Sequence, residues 1–452
     1  MHANRPHTQG DIFVAGDPGY ADAVATWDTS VSMRPSVVVT AASVDDIAAT
    51  ASWADARGLD IAVHNTGHGT FTDAVDAALI DVSRLRGVRA DLENRTVAVQ
   101  PGARWSDVSA VVAPHGLIGL AGGSPGVGVV GYTLGGGLSP IGRTFGMAAD
   151  RVRAVTVLDA DCGPLRVTAQ TEPELFWALC GGGALGIVTE LEFELVALPS
   201  LFGGGVYFPG EEAPALLTAY RDWVPSLDER TSTSIALLHL PALPQLPEAL
   251  RGRYVTHLRV AHVDPRDPDI EATGRRLLAP MVAAGTVIDD DTRVMGPADL
   301  PDIHRDPVAP TATSYRGGHV DHIDDRTIAT IAAAADAREH PAPTLIELRH
   351  LGGAYARTTR DPNSATARGS AFNLYVSAHW GPNGPDGARS LADDVAARIG
   401  SGGVGAQLNF FGPAPHPGDL LRLWPDADAD RILAAHARLD PRGRLRTGRP
   451  LR

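Results

Sequence analysis

The first part of the chain alternates short apolar runs with helical patterns. The run V-V-V-T at 37–40 predicts a buried strand, and Ser43, three residues before Asp46, predicts the start of a helix over 44–57. D-I-A-V-H at 60–64 then predicts the next strand. This pattern indicates a β-α-β unit whose second strand runs into a glycine-rich loop. Ligands favour loops of this kind beyond strand ends in α/β layers.

The same alternation continues to about residue 198. It predicts a helix capped by Ser106 and a second helix that opens at Glu172, with Pro173 in its first turn. Further strands are predicted at 78–82, 96–99, 152–158 and 186–195.

Beyond about residue 199 the pattern changes to longer strands and helices. Alternating polar and apolar residues predict an antiparallel sheet with helices covering one side. The predicted strands are 231–240, 254–263, 344–351 and 371–380, and the predicted helices lie at about 211–224, 266–284, 326–337 and 387–399. Residues 285–325 are rich in Asp and Pro and predict a loop with short turns.

Composition and net charge limit the classes of protein to which this chain can belong. The 452 residues are 44% hydrophobic and 20% charged, which is typical of a soluble globular chain of about two or three domains. The net charge of -14 argues against nucleic acid or an anionic membrane as a partner. No apolar run approaches the ~20 residues of a membrane span, and the polar start lacks a signal-peptide core. We therefore expect a cytoplasmic protein.

The chain contains no lysine, so all of its basic side chains are arginine. This excludes a Walker-type phosphate loop and Schiff-base chemistry on lysine. The two cysteines, Cys162 and Cys180, are too few for a disulfide framework. His319, Asp321 and His322 lack further ligands at suitable spacing, so we expect no metal site.

Two glycine-rich stretches stand out. In V-H-N-T-G-H-G-T-F (63–71) His68 sits bare between two glycines, and 121–150 is dense in glycine. Neither gives the G-x-G-x-x-G fingerprint of a dinucleotide-binding Rossmann domain. Either stretch alone is compatible with tight turns. Together they favour one large ligand whose phosphates are held by main-chain N–H groups.

These segments carry a family resemblance that extends over nearly the whole chain. The chain resembles the berberine-bridge-enzyme-like flavoprotein oxidases of the vanillyl-alcohol oxidase/p-cresol methylhydroxylase (PCMH) superfamily. The matching motifs are N-T-G-H-G-T (65–70), the glycine-rich segment 122–150, F-W-A-L-C-G-G-G-A-L-G-I-V-T (176–189), L-N-F-F-G (408–412) and the segment 431–446.

The resemblance implies an α+β architecture. A PCMH-type FAD-binding domain over 1–198 would consist of two α/β subdomains, at about 1–90 and 91–198. A substrate domain over 199–404 would carry an antiparallel sheet covered by helices. The C-terminal element 405–452 would return to the FAD domain.

The resemblance also implies the cofactor and its contacts. His68 would be linked covalently to the 8α-methyl group of FAD. Relatives with two links have a cysteine in the second loop where this chain has Ser124, so we expect one link, through His68 only. The expected FAD-binding residues are Asn65, Thr66, Gly67, His68, Gly69, Thr70, Gly123, Ser124, Val127, Gly128, Gly131, Tyr132, Asp150, Gly186, Val188 and Asn409.

The catalytic base is harder to assign. Many relatives have Tyr-x-Asn where this chain has Gln407-Leu408-Asn409, and an amide does not act as a base in that way. Asn373 stands where the family has a glutamate. Alternation places Tyr375 on the same strand face as Asn373, and Glu347 on the polar face of another strand.

The catalytic candidates are therefore Tyr375, Glu347, Asn373 and Gln407, with Tyr375 first. His350 is a further candidate acid/base group, behind Tyr375. The alternative is that the polar faces of these strands simply meet solvent.

The expected activity is oxidation of a small molecule. An FAD-dependent oxidoreductase would remove a hydride from a C–H next to O or N, with dioxygen as acceptor, as a tailoring step in secondary metabolism. The alternative is a non-redox cyclisation, isomerisation or elimination on the same fold, and a weaker one is flavin binding without catalysis. The expected partners are the substrate and dioxygen, in a monomer or homodimer.

Overall fold

The predicted β-α-β unit opens the fold. Ser43 accepts a hydrogen bond from the backbone N–H of Asp46 and caps the helix Val44–Asp55. This helix lies between strands Val37–Thr40 and Asp60–His64, as the sequence predicts. The computed structural model describes residues 5–69, 72–336, 341–357, 359–380, 384–414, 416 and 418–446.

Strands and α-helices follow one another through the described residues. The strands are β1 Asp11–Phe13, β2 Val37–Thr40, β3 Asp60–His64, β4 Ala77–Asp81, β5 Val88–Asp91, β6 Thr96–Val99, β7 Leu117–Ile118, β8 Val152–Leu158, β9 Pro164–Val167, β10 Val188–Glu194, β11 Val196–Ala197, β12 Leu201–Pro209, β13 Thr231–His239, β14 Tyr254–His262, β15 Asp289–Asp290, β16 Arg293–Met295, β17 Thr313–Val320, β18 Leu345–His350, β19 Phe372–His379 and β20 Leu445–Arg446. The α-helices are α1 Tyr20–Ala23, α2 Val44–Asp55, α3 Trp105–Val112, α4 Val129–Leu134, α5 Gly142–Phe145, α6 Pro173–Gly182, α7 Ala213–Trp223, α8 Ile270–Val282, α9 Asp325–Ala335, α10 Gly384–Ile399, α11 Leu408–Phe411 and α12 Asp426–Leu439.

The first sheet has the order β1-β2-β4-β3-β20. Strands β2, β4, β3 and β20 run parallel, and β1 is antiparallel at the edge. Helix α2 packs Ile47, Ala51 and Ala54 against one face. The C-terminal strand β20 therefore completes the sheet that carries the His68 loop.

The second sheet is antiparallel, with the order β5-β6-β10-β8-β9. Helices α3, α4, α6 and α12 contribute to its core, which joins Trp105 and Phe176 to Ile432 near the C-terminus. Helix α3 begins at Trp105, so the prediction that Ser106 caps it is wrong. The Asp107 carboxylate instead accepts from the N–H of Arg104 and fixes the start there.

The large sheet has the order β15-β12-β14-β13-β18-β19-β17, with β16 also paired to β12. Apolar residues of its strands pack against helices α7 to α10 on one face. The sheet is antiparallel and covered by helices, as predicted. Its other face is polar and packs towards the first half of the chain and α11.

Strand β17 (313–320) is a correction, because it lies within the predicted loop 285–325. Its sequence T-S-Y-R-G-G-H-V is buried along most of its length and does not alternate in polarity. A Cβ on Gly317 would lie 2.3 Å from the carbonyl oxygen of Phe410, and one on Gly318 would lie 2.7 Å from that of Ser401. Close backbone approach therefore explains the glycines that suggested a loop.

The predicted domain limits at 198/199 and 404/405 stay predictions. They are consistent with the change of sheet between β11 and β12 and with the return of β20 to the first sheet. In the described part of the chain, no helix is long and apolar enough to cross a membrane.

Candidate active site

His68 lies in the loop that follows β3, and its ring is held from two sides. It stacks on Trp27, with ring centroids 4.5 Å apart and planes at 15°. Its Nδ1 atom is 2.7 Å from the Thr66 hydroxyl. Gly67 has a φ of 73°, and a Cβ there would lie 2.6 Å from the Cβ of Thr26. Glycine is therefore needed at 67 for backbone conformation and for space.

The Nε2 edge of the His68 ring makes no hydrogen bond to the described residues, although the Nε2 atom is buried. Burial, reinforced by the nearby guanidinium of Arg104, lowers the pKa of His68 to about 4. The ring is therefore neutral near pH 7. When Nδ1–H donates to Thr66, a lone pair is left on Nε2.

The second glycine-rich loop lies beside His68. A Cβ on Gly128 would lie 2.8 Å from the side-chain Nδ2 of Asn65, so the two loops are in contact. In contrast, a Cβ on Gly126 or Gly131 would meet nothing within 4 Å. The loops therefore border open space at Gly126 and Gly131.

Tyr132 extends this region from helix α4. Its ring meets the edge of the Trp105 ring, with centroids 5.5 Å apart. Burial, with a smaller contribution from Tyr355, raises the pKa of Tyr132 well above its ordinary value, so the phenol stays protonated. Its hydroxyl has no partner in the parts of the chain that the structure covers.

FAD fits this arrangement. Four buried polar atoms without a partner among the described residues come from the two predicted FAD loops and α4: Asn65 Oδ1, His68 Nε2, Ser124 Oγ and Tyr132 OH. Buried polar groups are normally satisfied, so their grouping beside open glycine backbone indicates a large polar ligand. Asn65, His68, Ser124 and the 126–131 backbone would hold it.

The C-terminal element contacts this region at the end of helix α4. The Asn409 side chain donates to the Tyr132 carbonyl (2.8 Å), and the Gln407 side chain donates to the Gly135 carbonyl (2.7 Å). The Gln407 Oε1 atom accepts from the Asn409 N–H (2.7 Å). Both ends of the Gln407 amide are thus occupied by backbone. It holds the end of α4 and has no free atom for a substrate.

Five of the other predicted FAD residues lie either next to His68 in the chain or against the core of the second sheet. Gly69 is half-buried beside His68, whereas Thr70 lies outside the described residues. Val127 and Val188 pack into the core of the second sheet, and a Cβ on Gly186 would lie 2.8 Å from Leu439. The side chains of Val127 and Val188 therefore face the protein interior, as a side chain at Gly186 would.

Asp150 and Gly123 have protein neighbours of their own. The Asp150 carboxylate accepts from the Met147 N–H (2.8 Å) and from the side chains of Asn363 and Arg368. It thereby ties the first half of the chain to the segment 359–368. A Cβ on Gly123 would lie 2.6 Å from the Asp306 carboxylate, so this end of the second loop meets the segment between β16 and β17.

The polar face of the large sheet is buried, so the alternative of a solvent-facing surface is wrong for Glu347 and Asn373, which are 3% and 1% exposed. Glu347 accepts from Arg259 (2.9 Å) and from Arg349 (3.2 Å). Burial alone would raise the pKa of Glu347. The Arg349 and Arg259 guanidiniums hold this pKa well below its ordinary value, so the carboxylate is ionised and already paired.

Tyr375 lies next to Glu347 across the strand pair. Its ring contacts the rings of Tyr315 and Phe410, at centroid distances of 5.4 and 5.3 Å. Burial, with the neighbouring Tyr315, raises the pKa of Tyr375 well above its ordinary value. It is therefore suited to donate a hydrogen bond. The Asn373 amide has no partner at either end among the described residues.

Several site residues escaped sequence reasoning. Trp27 and Arg104 surround His68, and Arg259 and His304 belong to the Glu347 cluster. His304 and Asp306 fall in the segment predicted to be a loop. Arg259 lies on a predicted strand with alternating polarity, which is the one local signal that pointed to this face. His350, the further acid/base candidate, contacts Arg143 and Phe372.

A metal centre finds no support in the described ranges, where no group of three or more His, Cys, Asp or Glu side chains is placed to hold an ion. His319 lies 3.9 Å from Asp321 on strand β17 and its following turn.

Comparison with known proteins agrees with this geometry. The family model FAD_binding_4, "FAD binding domain", matches residues 35–168. (R)-6-Hydroxynicotine oxidase of Paenarthrobacter nicotinovorans is 28% identical over 234 residues, which cover 51% of this chain and 48% of that protein. The chain spans about half the length of the curated relatives it matches.

Solved structures match over nearly the full length. The crystal structure of 6-hydroxy-D-nicotine oxidase from Arthrobacter nicotinovorans superposes with a TM-score of 0.84 at 20% identity, covering 99% of this chain and 98% of that one. BBE-like 1 of Physcomitrella patens superposes with a TM-score of 0.81 at 17% identity, covering 98% and 97%. Residues 35–168 thus form an FAD-binding domain, and the chain has the α+β fold of the PCMH-type FAD-linked oxidases.

Proposed function

We propose that the protein is an FAD-linked oxidase that acts on a C–H next to O or N of a small molecule. The observation that carries the proposal is the group of buried polar atoms of His68, Asn65, Ser124 and Tyr132 that have no partner among the described residues. Bound FAD supplies the electron acceptor: the substrate loses two electrons and two protons, which dioxygen takes up as hydrogen peroxide.

We further propose that FAD is attached through Nε2 of His68 alone. The ring is neutral, its Nε2 has no partner in the described part of the chain, and Trp27 stacks on its plane. Ser124 offers a hydroxyl where a second link would need a thiolate, which is the stronger nucleophile at neutral pH. Asn65 and the backbone of 126–131 would hold the rest of the cofactor.

On the substrate side, this chain supplies orientation and no free base among its four predicted catalytic residues. Tyr375 is a protonated donor, Glu347 is paired with two arginines, and Asn373 and Gln407 are amides. Tyr375 and Asn373 would bind substrate oxygen or nitrogen, and Glu347 would keep Arg349 in place. The proton that leaves with the hydride passes to solvent or belongs to an already acidic substrate group.

An anaerobic mixing experiment tests this function. Candidate alcohols and amines are mixed with the FAD-containing protein while the oxidised-flavin absorption is followed. The oxidase assignment predicts bleaching, then recovery with hydrogen peroxide when air is admitted. Product formed without bleaching or oxygen uptake would overturn the assignment in favour of a non-redox cyclisation, isomerisation or elimination.

Reaction partners, assembly and location follow the same proposal. The substrate is a small molecule of the secondary-metabolite type, and dioxygen is the second reactant. Assembly as a monomer or homodimer and a location in the cytoplasm stay predictions.

A further inference from the structure

A row of polar residues crosses the buried face of the large sheet. Strand register places Arg259, Ser234, Arg349 and Asn373 side by side on the adjacent strands β14, β13, β18 and β19. Residues directly opposite each other have Cβ atoms about 5 Å apart. A small serine therefore stands between two guanidinium groups.

The charges of this row do not balance. Glu347 neutralises one of the two arginines, since it accepts hydrogen bonds from both. Burial, first of all, lowers the pKa of His304 and of His257, so neither ring adds charge. Asp306 also acts on Arg349, but it is exposed to solvent, which screens its charge. One positive charge is left in excess on this buried face.

A small cavity that is partly open to solvent adjoins the row. Its lining includes Ser139, Ser234, Arg259, His304, Arg349 and His350. Five of their buried atoms have no hydrogen-bond partner in the described part of the chain: Ser139 Oγ, Ser234 Oγ, Arg349 Nε, His304 Nδ1 and His350 Nδ1. The Arg349 Nε–H is a donor only, and both serine hydroxyls are able to donate.

We propose that this cavity binds a carboxylate. Unpartnered donors and an excess positive charge in a buried space select an acceptor with a negative charge, which a carboxylate provides with two oxygens. The substrate would then carry a carboxylate at a distance from the C–H that is oxidised. This last step rests on the proposed oxidase function, whereas the anion site itself does not.

Thermal unfolding of the purified, FAD-containing protein tests the site with acetate as the probe. Acetamide, the neutral analogue, is the matched ligand control at the same ionic strength. Acetate is expected to raise the Tm by roughly 2–4 °C at saturating concentration, and acetamide is expected to have no effect. Equal effects of the two, or of chloride and acetate, would overturn the carboxylate assignment.

The variant Ser234→Ala tests whether acetate raises the Tm by binding in this cavity. Its hydroxyl is unpartnered, so without acetate the variant should unfold at the wild-type Tm or slightly above it. The acetate concentration needed for half of the shift should rise about tenfold, because one hydrogen bond to a charged ligand is lost.

Thr256→Val is the matched control variant. Thr256 also has a buried, unpartnered hydroxyl, but alternation along β14 places it on the helix-covered face, away from Arg259. It should respond to acetate as the wild type does. An unchanged acetate response in Ser234→Ala would show that the cavity holds water only.

Two further outcomes separate the site from the oxidase function. Stabilisation by acetate without bleaching by any alcohol or amine, with or without a carboxylate, would keep the anion site and contradict the oxidase. Bleaching by substrates regardless of a carboxylate, with no acetate effect, would keep the oxidase and overturn the site.

Discussion

The His68 ring is fixed by Trp27 and Thr66 and leaves one nitrogen unengaged. A free imidazole protonates near pH 6.5, but here burial keeps the ring neutral to about pH 4. The two neighbouring glycines predict an exposed ring from the sequence. Trp27 and Arg104, which set its plane and its charge, are distant in sequence and give no local signal.

His68→Ala tests the attachment at the residue scale. Denatured wild-type protein should keep its yellow colour in the precipitate, whereas the variant should release its flavin to the supernatant. Because the pKa of His68 is about 4, the attachment rate should stay flat from about pH 5 to pH 8.

Thr66→Val is the control for ring orientation, since it removes the partner of Nδ1 and keeps Nε2. It should slow attachment without abolishing it. Flavin that separates freely from denatured wild-type protein contradicts the link.

At the scale of elements, helix α11 and the residue before it stabilise the end of α4 through hydrogen bonds. Gln407 and Asn409 bond to carbonyls at the end of α4, and Gly135 leaves room for Asn409, since a Cβ there would lie 2.0 Å from its Oδ1. The sequence motif places these residues near FAD by resemblance. It does not show that the Gln407 amide is used up by backbone, because that depends on tertiary contacts.

Gln407→Ala is expected to destabilise the protein. It leaves the Gly135 carbonyl and the Asn409 N–H without their buried partner, at a cost of about 2–4 kcal/mol in the free energy of unfolding. Urea denaturation measures this change.

Ser124→Ala is the control for Gln407→Ala, because its hydroxyl has no partner to lose among the described residues. A Gln407→Ala variant as stable as wild type, but inactive, would point instead to a direct catalytic role for Gln407.

For the whole molecule, Arg143 joins the two halves. This buried side chain on α5 donates to the carbonyls of Thr231 (2.9 Å) and Leu351 and contacts the His350 Nε2 (3.1 Å). Periodicity predicts the helix-covered side of the sheet well, because apolar positions alternate along β18 and β19. Periodicity does not predict that the other half of the chain covers the polar face of this sheet, because that depends on how the two halves pack together.

The buried histidines predict how stability depends on pH. Burial, aided by Arg143, lowers the pKa of His350 to about 3 in the folded protein, against about 6.5 in the unfolded chain. The unfolded chain therefore takes up a proton that the folded protein does not. Stability is fully present above about pH 6.5 and falls as the pH drops towards 3, by about 1.4 kcal/mol per unit for each such histidine.

His350→Gln should reduce the slope of the free energy of unfolding against pH, between about pH 5 and 6, by the contribution of one such histidine. Urea denaturation at several pH values measures it, with His115→Gln, an exposed position, as the control. An unchanged slope in His350→Gln would contradict the assignment of a neutral buried ring.

The pairing of β20 with β3 sets an order of events during synthesis. Leu445 and Arg446 lie beside Ile61 and Ala62, next to the loop that carries His68, and the Ile61 N–H donates to the Arg444 carbonyl (2.8 Å). These neighbours are synthesised long after β3, as are α11 and α12, which complete the core of the second sheet. A nascent chain therefore exposes the unpaired edge of β3, beside the His68 loop, until β20 has been synthesised.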